Sequence, residues 1–187
     1  MDELSTTSYA LLALLAVQPW TTYDLAKQME RSLRDVWPRA ESVVYEEPKR
    51  LAKKGLARAE KQYTGRRAAT VYSITPAGRR ALRRWLTADT DGRPSLEFEA
   101  MLKVAFGDHG TPDDVVRSIR AIGAWADDRV AYVKDRMREY QQTGGPFPHR
   151  LAVIGLAARF QLDFAETTRR WAAWAEGEVA AWKSATK

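Results

Sequence analysis

TTYDLAKQMERSLRDVWPRAESVVYEEPKRLAKKGLARAEKQYTGRRAATVYSITPAGRRALRRW, residues 21–85, switches its hydrophobic period twice, and those switches decide the fold. Thr21 stands three residues before Asp24, a spacing in which the hydroxyl takes an orphan helix amide and the carboxylate sits near the positive helix end. This predicts a helix over 22–33 with Leu25, Met29 and Leu33 on one face. The run Asp35-Val36-Trp37-Pro38 breaks it, since proline disfavours helical geometry in the residue before it; Trp37 reads as a packing anchor for the turn. A second helix follows from near Ala40 to Lys54 and stops at Gly55. After Leu56 the pattern becomes alternation, with Ala57, Ala59 and Lys61 opposing Arg58, Glu60 and Gln62. A Gly-containing turn, the strand-like Val71-Tyr72-Ser73-Ile74 and a helix opened by Thr75-Pro76 complete the stretch. Helix, helix, hairpin, helix is the order of a winged helix-turn-helix, whose common use is to lay its second helix in the major groove of DNA and its hairpin beside the backbone.

On a helical wheel the second helix puts Val44, Pro48 and Leu51 on one side and Ser42, Tyr45, Glu46, Lys49 and Lys53 on the other. The outer set carries groups that reach phosphate oxygens and base edges, and Glu46 can accept from a cytosine amino group. Pro48 lacks an amide hydrogen and crowds the preceding turn, so the helix is expected to kink there or to be shorter. The hairpin tip Thr64-Gly65-Arg66-Arg67 holds two guanidiniums suited to phosphates or a minor groove. The DNA-contacting set is therefore Arg39, Ser42, Tyr45, Glu46, Lys49, Lys53, Arg66 and Arg67. Arg79, Arg80, Arg83 and Arg84 of the next helix are read as a solvated face that adds to the general field.

Charge follows the same division. Of the formal +6, residues 1–94 hold 17 Lys and Arg against 11 Asp and Glu, while residues 95–187 hold 13 of each. A basic domain joined to a neutral one suggests a phosphate-facing module with a separate task behind it. The chain has no cysteine, so it has neither a disulfide framework nor a thiolate metal site, and its two histidines, His109 and His149, lie in Gly/Pro-containing breaks. No phosphate-cradling Gly loop, metal-ligand spacing or Ser/His/Asp set is present, and the expectation is a non-enzyme without metal or cofactor. The longest apolar run, Tyr9 to Val17, falls well short of the roughly 20 residues of a membrane span, and the reading is a cytoplasmic protein without a membrane partner.

Three segments, YDLAKQM (23–29), VYEEPKRLAKKGLA (44–57) and VYSITPAGRRALRRWL (71–86), resemble the PadR family of transcriptional regulators, in the branch similar to virulence-gene activators, which tends to carry Trp-Pro where Trp37-Pro38 stands. The resemblance covers about the first ninety residues by motif spacing; beyond them it is one of helical layout. It implies a dimer whose second domain holds two winged helices apart on a two-fold operator in double-stranded DNA. The chain departs from the family in two places: Thr22 stands where a glycine is common, and Glu46 stands where many members have proline, with Pro48 two residues later.

Gly92 and Pro94 mark a short linker, which gives domains at 1–88 and 96–187 with 89–95 between them. Beyond the linker, Phe98, Met101, Leu102 and Ala105 mark a brief helix, and Thr111-Pro112-Asp113-Asp114 is a strong helix start. Ile119, Ile122, Ala126, Val130, Val133, Met137 and Tyr140 recur at helical spacing, so that helix should run for about 45 Å at 1.5 Å per residue. After Thr143-Gly144-Gly145-Pro146 the seam repeats at Leu151, Ile154, Ala158, Leu162, Ala165, Ala172, Ala175, Val179 and Trp182. Two such helices form an antiparallel hairpin that completes its core by self-association, with Ile119, Ile122, Val133, Ile154, Leu162 and Val179 at the dimer interface. Trp125, Phe160, Phe164, Trp171 and Trp174, with Trp182, either fill that interface or line a pocket for a small aromatic or amphipathic effector. The fold expected is mainly α with a small β-hairpin wing, and the function expected is a dimeric, sequence-specific DNA-binding regulator. The alternative is a protein-docking module that uses the same elements without reading DNA.

Overall fold

The computed structural model describes residues 4–34, 36–38, 41–64, 67–90 and 93–185, and for 41, 64, 67 and 183–185 the backbone alone. It divides into two compact units, 1–92 and 93–187.

The first unit is built on α1 (Thr6–Val17), whose start is fixed by a reciprocal cap: the Ser8 amide donates to Ser5 Oγ and the Ser5 amide to Ser8 Oγ. Leu11, Leu12 and Leu15 of α1 meet Leu25 and Met29 of α2 (Thr22–Leu33) and Val44 and Leu51 of α3 (Glu41–Lys53) in one core. Full burial of each leucine contributes about 1.5–3 kcal/mol. Thr21 caps α2 as its spacing predicts, accepting from the Asp24 amide at 3.1 Å. Trp37 anchors the break after α2 by donating its indole N–H to Thr7 Oγ1 at 3.1 Å. Pro48 does not shorten α3: the helix runs on to Lys53 with Pro48 buried in its inner face, and Gly55 follows at φ 72.

The wing pairs β2 (Ala57–Thr64) with β3 (Arg67–Ile74) in antiparallel register from Ala57 opposite Ile74 to Thr64 opposite Arg67. The sheet has a third strand that the sequence pattern did not reveal. In β1 (Trp20–Thr21), Trp20 pairs with Tyr72 and Thr21 with Val71, giving the order β1-β3-β2. Two residues are too few to show a period, and the preceding Pro19 looks only like a helix stop. The Trp20 indole also donates to the Leu14 carbonyl at 2.9 Å, which satisfies one orphan acceptor at the end of α1. Helix α4 (Pro76–Thr87), capped by Thr75, closes the unit with Tyr9 of α1 stacked on its Trp85 at 5.0 Å.

The second unit is a helical hairpin. Thr111 and Asp114 form a full capping box at the start of α6 (Pro112–Thr143), which follows the short α5 (Glu99–Ala105). Gly144, at φ 76, ends α6, and α7 (Leu151–Ala185) returns antiparallel to it, as the Arg120–Glu176 and Lys134–Glu166 ion pairs require. The expected seam forms, with one difference in what it joins. Ile119, Ile122 and Val179 are buried together under Phe98, Met101 and Val104, and Val133 and Leu162 are buried with Val130 and Ala165. Those five residues, expected between two chains, are therefore spent between α6 and α7 of one chain, and Ile154 is half-buried. A short connection makes the sister helix the nearest partner at little closure entropy. Trp182, expected on the seam, is exposed.

Candidate nucleic-acid interface

The inner face of α3 is fixed by Val44, Pro48 and Leu51, all buried, which turns Ser42, Glu46, Lys49 and Lys53 outward. These four line one groove of about 650 Å³ along the helix, together with Val43, Glu47 and Arg50. Lys49 Nζ lies 2.6 Å from Glu46 Oε1, and that carboxylate, first by its hydrogen bond and then by its charge, raises the lysine's pKa above the usual value. Both groups are exposed, so the pair adds little to stability.

Tyr45 departs from the expected face. It is half-buried and lines a separate cavity of about 370 Å³ with Tyr23, Met29, Trp37 and Pro38. At 100° per residue it sits roughly 70° round the helix from the centre of the groove, on the Pro48 side. Arg50 sits about 70° to the other side, at the groove's far rim.

Two residues of α3, Glu47 and Arg50, escaped the wheel. Glu47 is buried although charged, with Ser8 Oγ donating to its Oε1 at 2.5 Å and Arg50 donating Nε to Oε2 and Nη2 to Oε1, both at 2.9 Å. A wheel places Glu47 at the edge of the apolar side, but its partner Ser8 is 39 residues away, and no local pattern signals that contact.

Of the wing residues, Arg66 lies outside the described residues, as does Arg39; Arg67 begins β3 with its side chain not described. The outer half of the wing is exposed on both faces, presenting Lys61 and Tyr63 near the tip. Tyr63, an aromatic two residues before Gly65 in the sequence, was a legible candidate that the emphasis on arginines passed over. The α4 arginines Arg79, Arg80, Arg83 and Arg84 are exposed.

In the second unit the aromatic residues do not share one site. Trp125 meets Phe98 and Phe164 edge-to-face at 5.6 and 6.1 Å, and Trp171 packs against the Ile119–Val179 cluster. Phe160 and Trp174 point outward, more than half exposed. They stand on a second α7 face set apart from the buried seam. Among the described residues no group of three or more His, Asp or Glu is placed to hold a metal ion, and no helix is long and apolar enough to cross a membrane.

Residues 11–84 match the transcriptional regulator PadR-like family and residues 98–180 match the virulence activator alpha C-terminal family. No curated protein matches the sequence. The fold is similar to that of Bacillus subtilis PadR solved in complex with operator DNA, at TM-score 0.79 and 18% identity over 94% of this chain and 99% of that one. The same protein in complex with p-coumaric acid gives TM-score 0.71 and 18% identity over 96% and 98%. The Vibrio cholerae virulence activator AphA gives TM-score 0.67 and 22% identity over 97% and 100%. With a PadR-like winged helix followed by a virulence-activator helical unit, the chain belongs to the PadR-like family of transcriptional regulators.

Proposed function

We propose that this protein is a homodimeric, sequence-specific DNA-binding regulator, with residues 1–88 as the DNA-binding domain, 89–95 as linker and 96–187 as the dimerisation domain. The observation that carries the reading is the α3 groove, where Ser42, Glu46, Lys49 and Lys53 stand together on the exposed side of a winged helix. The charge surplus of residues 1–94 and the operator complex of the Bacillus subtilis relative support it. In this reading Ser42, Glu46, Lys49 and Lys53 face base edges and phosphates in the major groove, Arg39 adds a phosphate contact, and Arg66 and Arg67 grip the backbone from the wing. Tyr45 reaches DNA from the rim of the α3 face.

Dimerisation is drawn from the outer face of α7. Val153, Leu156, Phe160, Phe164, Trp174 and Trp182 are exposed from 40% at Phe164 to 74% at Leu156. At 100° per residue all six fall within an arc of about 80°, an apolar stripe along a 35-residue helix that Thr167 and Glu178 interrupt. A stripe of that size on a water-facing helix fits a second copy of the same helix pair. A small aromatic or amphipathic effector would lie against Trp125 and Phe164, where a ring pair reaches the surface beside this stripe. The p-coumaric acid complex of the Bacillus subtilis relative supports such a ligand class. The effector would act by binding one arrangement of the dimer more tightly than another.

Fluorescence anisotropy on the protein's own promoter and on a scrambled duplex, across a salt series, tests the reading. Tighter promoter binding that saturates at two chains per site is expected. Equal affinity for both duplexes at every salt concentration would defeat sequence-specific recognition. Arg66 and Arg67 changed together to Ala should flatten the salt slope by about two units, and an unchanged slope would remove the wing from the interface.

A further inference from the structure

Arg50 is held in place more firmly than a rim residue of a solvated helix requires. Its Nε and Nη2 donate to the two oxygens of Glu47, and Nη2 also donates to Ser8 Oγ at 2.9 Å. Ser8 is fully buried, and its hydroxyl is used completely. Its one proton goes to Glu47, while its lone pairs take Arg50 Nη2 and the Ser5 amide, the latter being part of the α1 cap. The guanidinium is thereby tied through a buried carboxylate to the first turn of α1, so its plane is set by the core of the unit. Yet the Arg50 side chain is 40% exposed and lines the same groove as Glu46, Lys49 and Lys53.

We propose that Arg50 contacts a DNA phosphate at the rim of the recognition groove, and that Glu47 and Ser8 are its positioning residues. The inference rests on the DNA-binding reading above. Nε and Nη2 are committed to Glu47 and Ser8, so Nη1 is the nitrogen that meets the phosphate, held in a fixed plane that an ammonium on a flexible stem does not have. An exposed arginine loses rotamer freedom when it grips a phosphate; here that freedom is already lost in the free protein, so binding is less opposed. The contact carries no base information. It fixes how deep and at what angle α3 sits while Glu46 and Lys49 meet the bases.

The test is the anisotropy titration with Arg50→Lys, Glu47→Gln and the double variant, alongside thermal melts of each. Arg50→Lys keeps the charge and loses the plane that Glu47 and Ser8 set. Its affinity for promoter and scrambled duplex should fall by the same factor, about ten-fold, with the salt slope held within about half a unit because the charge remains. Glu47→Gln should weaken binding comparably, and the double variant should bind no worse than Arg50→Lys alone, because Glu47 acts only through Arg50. Should Glu47→Gln unfold, Ser8→Ala carries the positioning test, with a smaller loss in the same direction. A folded Arg50→Lys that binds like the wild type, or a double variant whose losses multiply, overturns the inference and leaves the DNA reading standing. A wild-type chain that binds neither duplex removes both.

Discussion

Gly78, in the first turn of α4, has no room for a methyl group: a Cβ there would lie 2.1 Å from the Leu56 carbonyl oxygen and 2.9 Å from Ile74 Cγ1. The contact is backbone, and it cannot retreat, since that carbonyl also accepts from the Thr75 amide and hydroxyl, both at 3.1 Å. Gly78→Ala should cost about 3 kcal/mol, the upper end for overpacking, seen as a lowered midpoint in denaturant unfolding; a variant as stable as wild type would mean that the junction between α3, the wing and α4 is looser than drawn. Asp114 gives a second test at this scale. Hydrogen bonds from the Thr111 hydroxyl and amide, aided by Arg117, hold its carboxyl below the usual value. A depressed carboxyl contributes stability above its unfolded pKa, about 3.9, and that contribution disappears as pH falls through the folded value. Asp114→Ala should therefore be less stable than wild type near neutrality, with the gap closing in acid melts below about pH 4. A constant gap would assign the loss to helix propensity. Both caps, Thr21 before Asp24 and Thr111 before Asp114, were legible because each is a three-residue pattern. Glu47 was not, because a buried carboxylate is explained only by a partner in another helix.

Between α6 and α7 small residues set the approach of the two helices. Ala165 is fully buried beside Val130 and Val133, whereas a Cβ added at Gly123 would lie 3.5 Å from Ala172 Cβ, in ordinary van der Waals contact. The two sites should respond in opposite directions. Ala165→Leu inserts volume where none exists and should destabilise by about 1–3 kcal/mol, while Gly123→Ala gains helix propensity without a clash and should stabilise by up to about 1 kcal/mol. Calorimetric melts would decide, and a destabilised Gly123→Ala would show that the helices lie closer at that level. Element type and order were readable because long helices repeat their apolar spacing many times, as Ile119 to Tyr140 does. Trp20–Thr21 was unreadable as a strand because its only signal is the partner strand, whose paired residues Tyr72 and Val71 lie far downstream. The wheel on α3 placed the buried Val44, Pro48 and Leu51 and missed the buried Glu47, and it could not show that Tyr23 and Trp37 share a cavity with Tyr45 on one flank of the helix. The seam of α6 and α7 was legible, but periodicity identifies an apolar face and not whether the chain's own helix or another chain's covers it.

At the scale of the whole molecule this ambiguity becomes a testable division of labour on α7. The helix carries two apolar faces, one spent on α6 through Leu162, Ala165, Ala172 and Val179, the other exposed at Phe160, Trp174 and their neighbours. If the exposed face joins two copies, charge placed there should separate the chains without unfolding either, because neither ring belongs to the intrachain core. Phe160→Glu with Trp174→Glu should run as a monomer in sedimentation, keep its helical circular dichroism, and lose the promoter's advantage over a scrambled duplex. Each winged helix would then bind half an operator alone, forfeiting the gain from simultaneous engagement, about 10²–10⁴-fold. Single-site binding to nonspecific DNA should survive, since the α3 groove and wing lie in the other unit. A double-Glu variant that stays dimeric would move the interface off this face and leave the rings free for another occupant. One that becomes monomeric yet still prefers the promoter as strongly as wild type would break the link between dimerisation and specificity, and with it the reason for two winged helices on a two-fold site.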